Sequence, residues 1–267
     1  MRTLFFLVLM TATLACGEFA PLDPVPVDLV EAGDGGPGSG PVGDRDGGSV
    51  SAPDASVRAP VSNFVPSAKA PSFVDDFDRP DDLSVVGNGW LPKTSTAFGM
   101  EGRAVKQQSA GGAGVRNLNL LRSADAVSDV EIAVTFTATT DNDDPSLLLR
   151  VGSGADVYGE LEAYVFQARQ GRITLSRYVG TTITTLVTGS LVEPLLATRD
   201  YRMVFRVWGT TDVGLVGAVI DTTDDYVLGS CFSNDMSAAR LVTPGRVGFG
   251  SGLAAGSRWD DFTKTDL

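Results

Sequence analysis

Between Asp129 and Gly252 the chain repeats one pattern: short runs in which apolar and polar residues alternate, each closed by Gly, Asp or Asn. DVEIAVTFTATT puts Val130, Ile132, Val134 and Phe136 on one side, and YRMVFRVWG does the same with Met203, Phe205 and Val207. PSLLLRVG, LEAYVFQA, GRITLSRYVG, TTITTLVTG, DVGLVGAVID and GRVGFGSG continue the series, which ends in SRWDDFTKT. Period-two alternation in β-branched and aromatic runs, with turn residues at short intervals, predicts strands rather than helices. No segment holds a 3.6-residue period over a dozen residues without Gly or Pro. SCFSNDMSAAR alone is expected to form a brief helical turn. The chain is therefore read as all-β, a two-sheet antiparallel β-sandwich or barrel.

The N-terminal part has another texture. MRTLFFLVLMTATLACG has one cation, Arg2, then an apolar run too short for the roughly 20 residues that span a bilayer, which fits a secretory signal. Its cysteine resembles the modification site of a bacterial lipoprotein, despite Thr13 where Leu is usual. That resemblance implies removal of residues 1–15, lipid on Cys16 and membrane attachment. Plain secretion is the alternative. Gly17 after the cysteine resembles signals for the outer membrane, so the cell envelope is the expected location. Residues 17–60 carry Gly or Pro at 16 of 44 positions, too many for a packed core. Residues 16–70 are read as a solvated tether reaching roughly 40 Å, and 71–267 as the folded domain.

Composition removes several functions. A net charge of −12 and four scattered lysines argue against nucleic acid, whose phosphates need clustered Lys and Arg. With no histidine, Ser-His-Asp and Cys-His catalysis and ordinary His-containing zinc sites are excluded. If Cys16 carries lipid, Cys231 is a lone cysteine, read as a small buried hydrophobe because CFSND supplies nothing to activate a thiol.

DDFDRPDDLSVVGNGW near the start, the paired-strand run LLLRVG to YRMVFRVWGTTDVGLVGAVID, and the closing GRVGFG and RWDDF together resemble the concanavalin A-like lectin/glucanase superfamily, notably its laminin-G-like jelly-roll modules. The likeness covers about residues 72–265. It implies a jelly roll whose first and last strands pair, so the triplets Asp75–Phe77 and Asp260–Phe262 would be neighbours. Several members hold a structural calcium there, which implies Asp76 with Asp261 or Asp260 as ligands here. The alternative is a solvated acidic rim with Arg79 or Arg258 as partner. TTDNDDPS lacks the Gly and Glu of an EF-hand and reads as turn chemistry.

Retaining glucanases of the superfamily carry an E-x-D-x-x-E strand, with carboxylates about 5–5.5 Å apart. Here only Glu160 and Glu162 approach that pattern, and the chain has seven glutamates in all. No nucleophile elbow, P-loop or Cys-x-x-Cys occurs. Binding is therefore favoured over catalysis, with a carbohydrate-active enzyme using Glu160 and Glu162 as the alternative. By resemblance a glycan would lie on the concave sheet or at a rim. Glu160, Glu162, Tyr164 and Phe166 share one strand face, which reads as the open one. Arg150, Arg206 and Trp208 also point away from apolar faces. Glu162, Tyr164, Arg150, Arg206 and Trp208 form the candidate ligand-binding set for a polysaccharide or envelope glycan. Packing is the competing reading for Tyr164, Phe166 and Trp208, and Trp90 and Trp259 are expected in the core. A third reading is an adhesive module that binds protein, marked by an exposed apolar patch without a groove.

Overall fold

The computed structural model describes residues 64–92, 97–109, 118–122, 126–140, 143–152, 161–252 and 255–267. The signal, Cys16 and residues 16–63 of the tether lie outside the described residues, as does Glu160. No helix occurs among the described residues. Among the described residues fifteen strands follow in chain order: β1 Phe73–Asp75, β2 Trp90–Pro92, β3 Phe98–Glu101, β4 Ala104–Gln107, β5 Leu118–Arg122, β6 Val130–Thr137, β7 Pro145–Val151, β8 Glu162–Arg169, β9 Arg172–Val179, β10 Thr182–Ser190, β11 Asp200–Trp208, β12 Val213–Asp221, β13 Tyr226–Asp235, β14 Arg246–Ser251 and β15 Arg258–Asp266. One sheet, here called the front, runs β10-β9-β8-β7-β14-β5-β2, and the back sheet runs β13-β12-β11-β6-β15-β4-β3, with β1 added to β15. Pairing is antiparallel throughout. The fold is thus the expected all-β, two-sheet jelly-roll sandwich.

The alternating residues of β6 and β11 meet those of β7, β8 and β14 between the sheets. Phe166 packs on Phe205 with ring centroids 5.9 Å apart, and Phe249 on Trp259 at 4.8 Å. Gly217 makes room for this layer, since a β-carbon there would run into the Phe166 ring. Such overpacking costs about 1–3 kcal/mol.

The two chain ends do pair. Phe73 lies opposite Lys264, and Asp75 opposite Phe262. A bulge between Asp260 and Thr263 turns Asp261 outward and lets Trp259 and Phe262, three residues apart, both face the core. Phe77 and Asp261 take left-handed φ angles of 49°. The triplet aromatics then enclose Trp90, which contacts Phe77 at 5.8 Å and Phe262 edge-on at 4.9 Å.

Two local readings change. SCFSNDMSAAR is strand up to Asp235, because β13 pairs with β12 along its length; only one turn follows, closed by Arg240 N–H on the Ser237 carbonyl (3.2 Å). Phe64–Ser67, within the stretch read above as tether, lie against the back sheet. Phe64 packs on Ala133, Val204 and Ile220, and Ser67 N–H is shared between both carboxylate oxygens of Glu131 (3.0 and 3.1 Å).

Cys231 is buried in the main core, and burial pushes its thiol up to about 12, against a small opposing effect of the Gly217 backbone hydrogen bond. At pH 8 only on the order of one molecule in ten thousand would carry the thiolate. Peptide mapping after iodoacetamide treatment at that pH should find Cys231 unmodified in the native chain and modified in guanidinium. Rapid native labelling would contradict the buried placement.

Candidate functional site

The face that the sequence reading left open is the core face. Tyr164 and Phe166 point between the sheets and are fully buried, whereas Ala163 and Val165 occupy the outer side of β8. Both sides of this strand are apolar after the leading glutamates, so alternation gave the period and the glutamates the wrong direction. Glu162 escapes because it starts the strand, beyond the core, and is exposed.

Arg150 is also turned from its expected direction. Its φ of 52° and the register shift opposite Arg246 and Gly248 break the alternation at the end of β7. The guanidinium is 0% exposed. Nε donates to the Ser128 carbonyl (2.8 Å), Nη1 to Leu241 (2.7 Å), and Nη2 to Gly209 (2.7 Å) and the Asp129 carboxylate (3.2 Å). Burial lowers its affinity for the proton, and the charge of Asp129 offsets part of that. With four of its five N–H groups on protein acceptors, this arginine ties segments together.

Tyr164 works on the same segment from the other side. Its hydroxyl donates to Asp235 (2.9 Å) and accepts the Leu241 N–H (2.9 Å). Burial raises the phenol well above its ordinary value, so it stays protonated. Asp235 in turn takes a hydrogen bond and charge from Arg177 (2.6 Å) and caps Ser237 through its hydroxyl (2.7 Å) and amide (3.1 Å). The Leu241 peptide is thus held at its N–H by Tyr164 and at its C=O by Arg150. Gly245 is fixed by reciprocal bonds with Val127 (3.0 and 3.1 Å), and Arg240 reaches the carbonyls of Thr210 (3.1 Å) and Ser237 (2.8 Å).

What these bonds build is a wall. The 240–246 segment, the end of β7 at Arg150–Gly152, Glu162 and Ala126 surround a pocket of about 530 Å3 at the rim of the sandwich. Gly152 N–H donates to the Glu162 carbonyl (2.9 Å), which joins the two strand ends at its floor. Glu162 is the one carboxylate among the described lining residues, and Arg240 and Arg246 bring the cations. Sequence reasoning missed Arg240, Arg246 and the Arg177–Asp235 pair. The visible signal was two arginines flanking the turn-forming LVTPG.

The remaining candidates sit elsewhere. Arg206 lies on the outer side of the back sheet, paired with Glu131 through Nε (2.7 Å) and Nη2, and it also donates to the Val65 carbonyl (3.1 Å). Trp208, on the same side, lies flat over Gly214 with its ring 6.1 Å from Phe232, which is 54% exposed. Structure therefore divides the expected set: Glu162 enters the pocket, Arg150 and Tyr164 hold its wall, and Arg206 and Trp208 belong to another surface.

Asp76 and Asp261 are both exposed. Burial, together with the charges of Asp261, Asp76 and Asp200, raises the carboxyl of neighbouring Asp260, against an opposing bond from the Asp261 amide. Among the described residues no group of three or more His, Cys, Asp or Glu side chains is placed to hold a metal. Asp143 and Asp144 are spent on the protein: they accept from the Thr139 amide (2.7 Å), the Ser257 hydroxyl (3.0 Å), the Gly252 amide (2.6 Å) and the Ser251 hydroxyl (3.1 Å).

No family model and no curated protein sequence matches the chain. Solved structures do. A Bacillus subtilis protein of unknown function with a galectin-like fold aligns at TM-score 0.53 and 10% identity, covering 74% of this chain and 96% of that one. Bacillus licheniformis β-glucanase aligns at 0.50 and 9%, covering 74% and 99%. The exoplasmic/lumenal domain of VIP36, in its Ca2+/Man2-bound form, aligns at 0.50 and 12%, covering 73% and 89%. At such identities the likeness defines a fold, the jelly roll of lectins and glucanases.

Proposed function

We propose that this chain is a cell-envelope lipoprotein, anchored through Cys16, whose sandwich binds a polysaccharide or envelope glycan without catalysis. The observation that carries the reading is the preformed rim pocket, with Glu162, Arg240 and Arg246 beside the exposed apolar Val242 and Pro244. Carboxylate and guanidinium groups hydrogen-bond sugar hydroxyls, and apolar residues cover the CH surface of the ring. A few convergent polar groups in a concave site are the usual make-up of a ligand pocket. The VIP36 exoplasmic/lumenal domain, solved in a Ca2+/Man2-bound form, shares the fold and supports the reading.

Catalysis by Glu160 and Glu162 is the alternative: a retaining pair needs carboxylates about 5–5.5 Å apart, and Glu160 lies outside the described residues. Protein binding is the second reading, favoured by Phe232 exposed beside Trp208 on the opposite sheet.

A glycan array probed with the full chain, with calcium and again with chelator, tests these readings. One glycan class should bind, and Glu162→Ala should weaken it about tenfold or more, the worth of a hydrogen bond to a charged group. Loss of binding in chelator would show that calcium is required, and the same loss in Asp76→Ala and Asp261→Ala with calcium present would place it at those residues. Failure to bind any glycan in either condition removes the proposal and leaves the Trp208–Phe232 surface.

A further inference from the structure

We infer that the outer face of the back sheet carries a site for an extended peptide, and that residues 64–67 fill it in cis as a releasable strap. The site is separate from the rim pocket and owes nothing to glycan binding.

Two strands build it. Glu131 on β6 and Arg206 on β11 lie directly opposite each other and pair across the sheet. Both turn hydrogen-bonding atoms to the chain that crosses them. Arg206 Nη2 donates to the Val65 carbonyl (3.1 Å), and the two Glu131 oxygens share the Ser67 N–H (3.0 and 3.1 Å). A carbonyl followed two residues later by an N–H is what any extended segment presents, so the pair reads main chain rather than side chains. Pro66 between them has no N–H to satisfy. Sequence enters through Phe64, whose ring packs on Ala133, Val204 and Ile220. Val65 is 73% exposed and Pro66 is exposed too, so neither side chain anchors the strap.

The contact is built to come apart. Residues 64–67 form no strand, and the Phe64 ring is half-buried rather than enclosed. Exposed residues 68–72 link the strap to β1, whose hold on β15 starts at the Ser72 N–H on the Lys264 carbonyl (2.7 Å). The strap can therefore lift about this link while β1 stays paired. Its few bonds are offset by the entropy of ordering the segment. Lifting it uncovers Ala133, Val204 and Ile220 on the face that also bears Trp208 and the exposed Phe232. The partner that fits the opened site has the strap's own chemistry: an extended segment with an aromatic residue three positions before a free N–H. A link this short holds the strap at an effective concentration of about 1 mM, so the closed strap excludes such a segment.

Two measurements on the full chain test this. The Ser67 amide should be protected from hydrogen exchange, at a rate unchanged by urea below the unfolding range, the mark of a local opening. A fluorescent peptide of residues 64–72, FVPSAKAPS, should bind the Phe64→Ala chain about tenfold or more tightly than the unmodified chain, whose own strap competes. The peptide with alanine for Phe64, or with Ser67 N-methylated, should lose most of that binding. A Ser67 amide that exchanges freely, or only with global unfolding, overturns the releasable strap. Binding to the Phe64→Ala chain no tighter than to the unmodified one overturns the peptide site.

Discussion

Replacing Asp75 by alanine is expected to destabilise the domain by about 3–5 kcal/mol, the cost of removing one partner from a buried charged cluster. In a folded unit of this size that corresponds to a fall of roughly 6–20 °C in melting temperature. The reason lies in the number of donors that converge on one carboxylate. Asp75 accepts the Phe77 amide (3.0 Å), the Asn88 side chain (2.9 Å) and the Trp90 indole N–H (2.8 Å), and it pairs with Arg79. Its removal would strand the indole N–H inside the aromatic cluster that joins the first and last strands. Asp76→Ala, one residue on and exposed, is the control and should shift the midpoint little. Differential scanning fluorimetry on both variants decides the matter; equal melting temperatures would refute the role given to Asp75.

The second large effect concerns the Arg177–Asp235 pair beneath the pocket wall. Side chains there are 9% and 2% exposed, so Asp235→Ala leaves a buried guanidinium without its counter-ion and should also cost about 3–5 kcal/mol. Unlike Asp75, Asp235 also supports the pocket, because Tyr164 joins it to Leu241. The variant should therefore lose glycan affinity as well as stability, whereas Asp75→Ala, measured well below its melting point, should keep affinity. The pH dependence has a definite sign. Burial opposes ionisation of Asp235, but hydrogen bonds from Ser237, Arg177 and Tyr164 outweigh it and hold the carboxyl below its ordinary value. Its contribution is fully present above the unfolded value of about 3.9 and is lost as pH falls through the lower folded value. Urea midpoints measured from pH 7 down to pH 2 should decline more steeply in that acid range for the native sequence than for Asp235→Ala. Parallel curves would contradict this assignment.

The same contrast shows what could be read along the chain. In β6 and β11 one side is apolar and the other mixed, so both the strands and their inward residues were legible. In β8 the leading glutamates, Glu160 and Glu162, marked one side as the polar one, yet Tyr164 and Phe166 on that same side face the partner sheet, so the local cue pointed the wrong way. Arg150 was misplaced because its direction depends on a bulge opposite β14, nearly a hundred residues away. The pocket was illegible for the same reason: its wall at 240–246 is distant in sequence from Glu162 and approaches it only because β14 pairs with β7 while β8 lies on the other edge of β7.

By itself, then, the sequence determined that the domain is built of antiparallel strands, in a sandwich or a barrel. Period-two patterning is local, and each strand states its own period. Composition needs no geometry either: the chain has no histidine, and its net charge of −12 with four scattered lysines argues against a phosphate-binding surface. Tertiary structure alone decided which face of β8 is buried, that Arg150 and Tyr164 grip one peptide rather than a ligand, and where Arg240 and Arg246 meet Glu162. Those are consequences of register and bulges between segments far apart in the chain, and a register is a property of two strands, never written in either one.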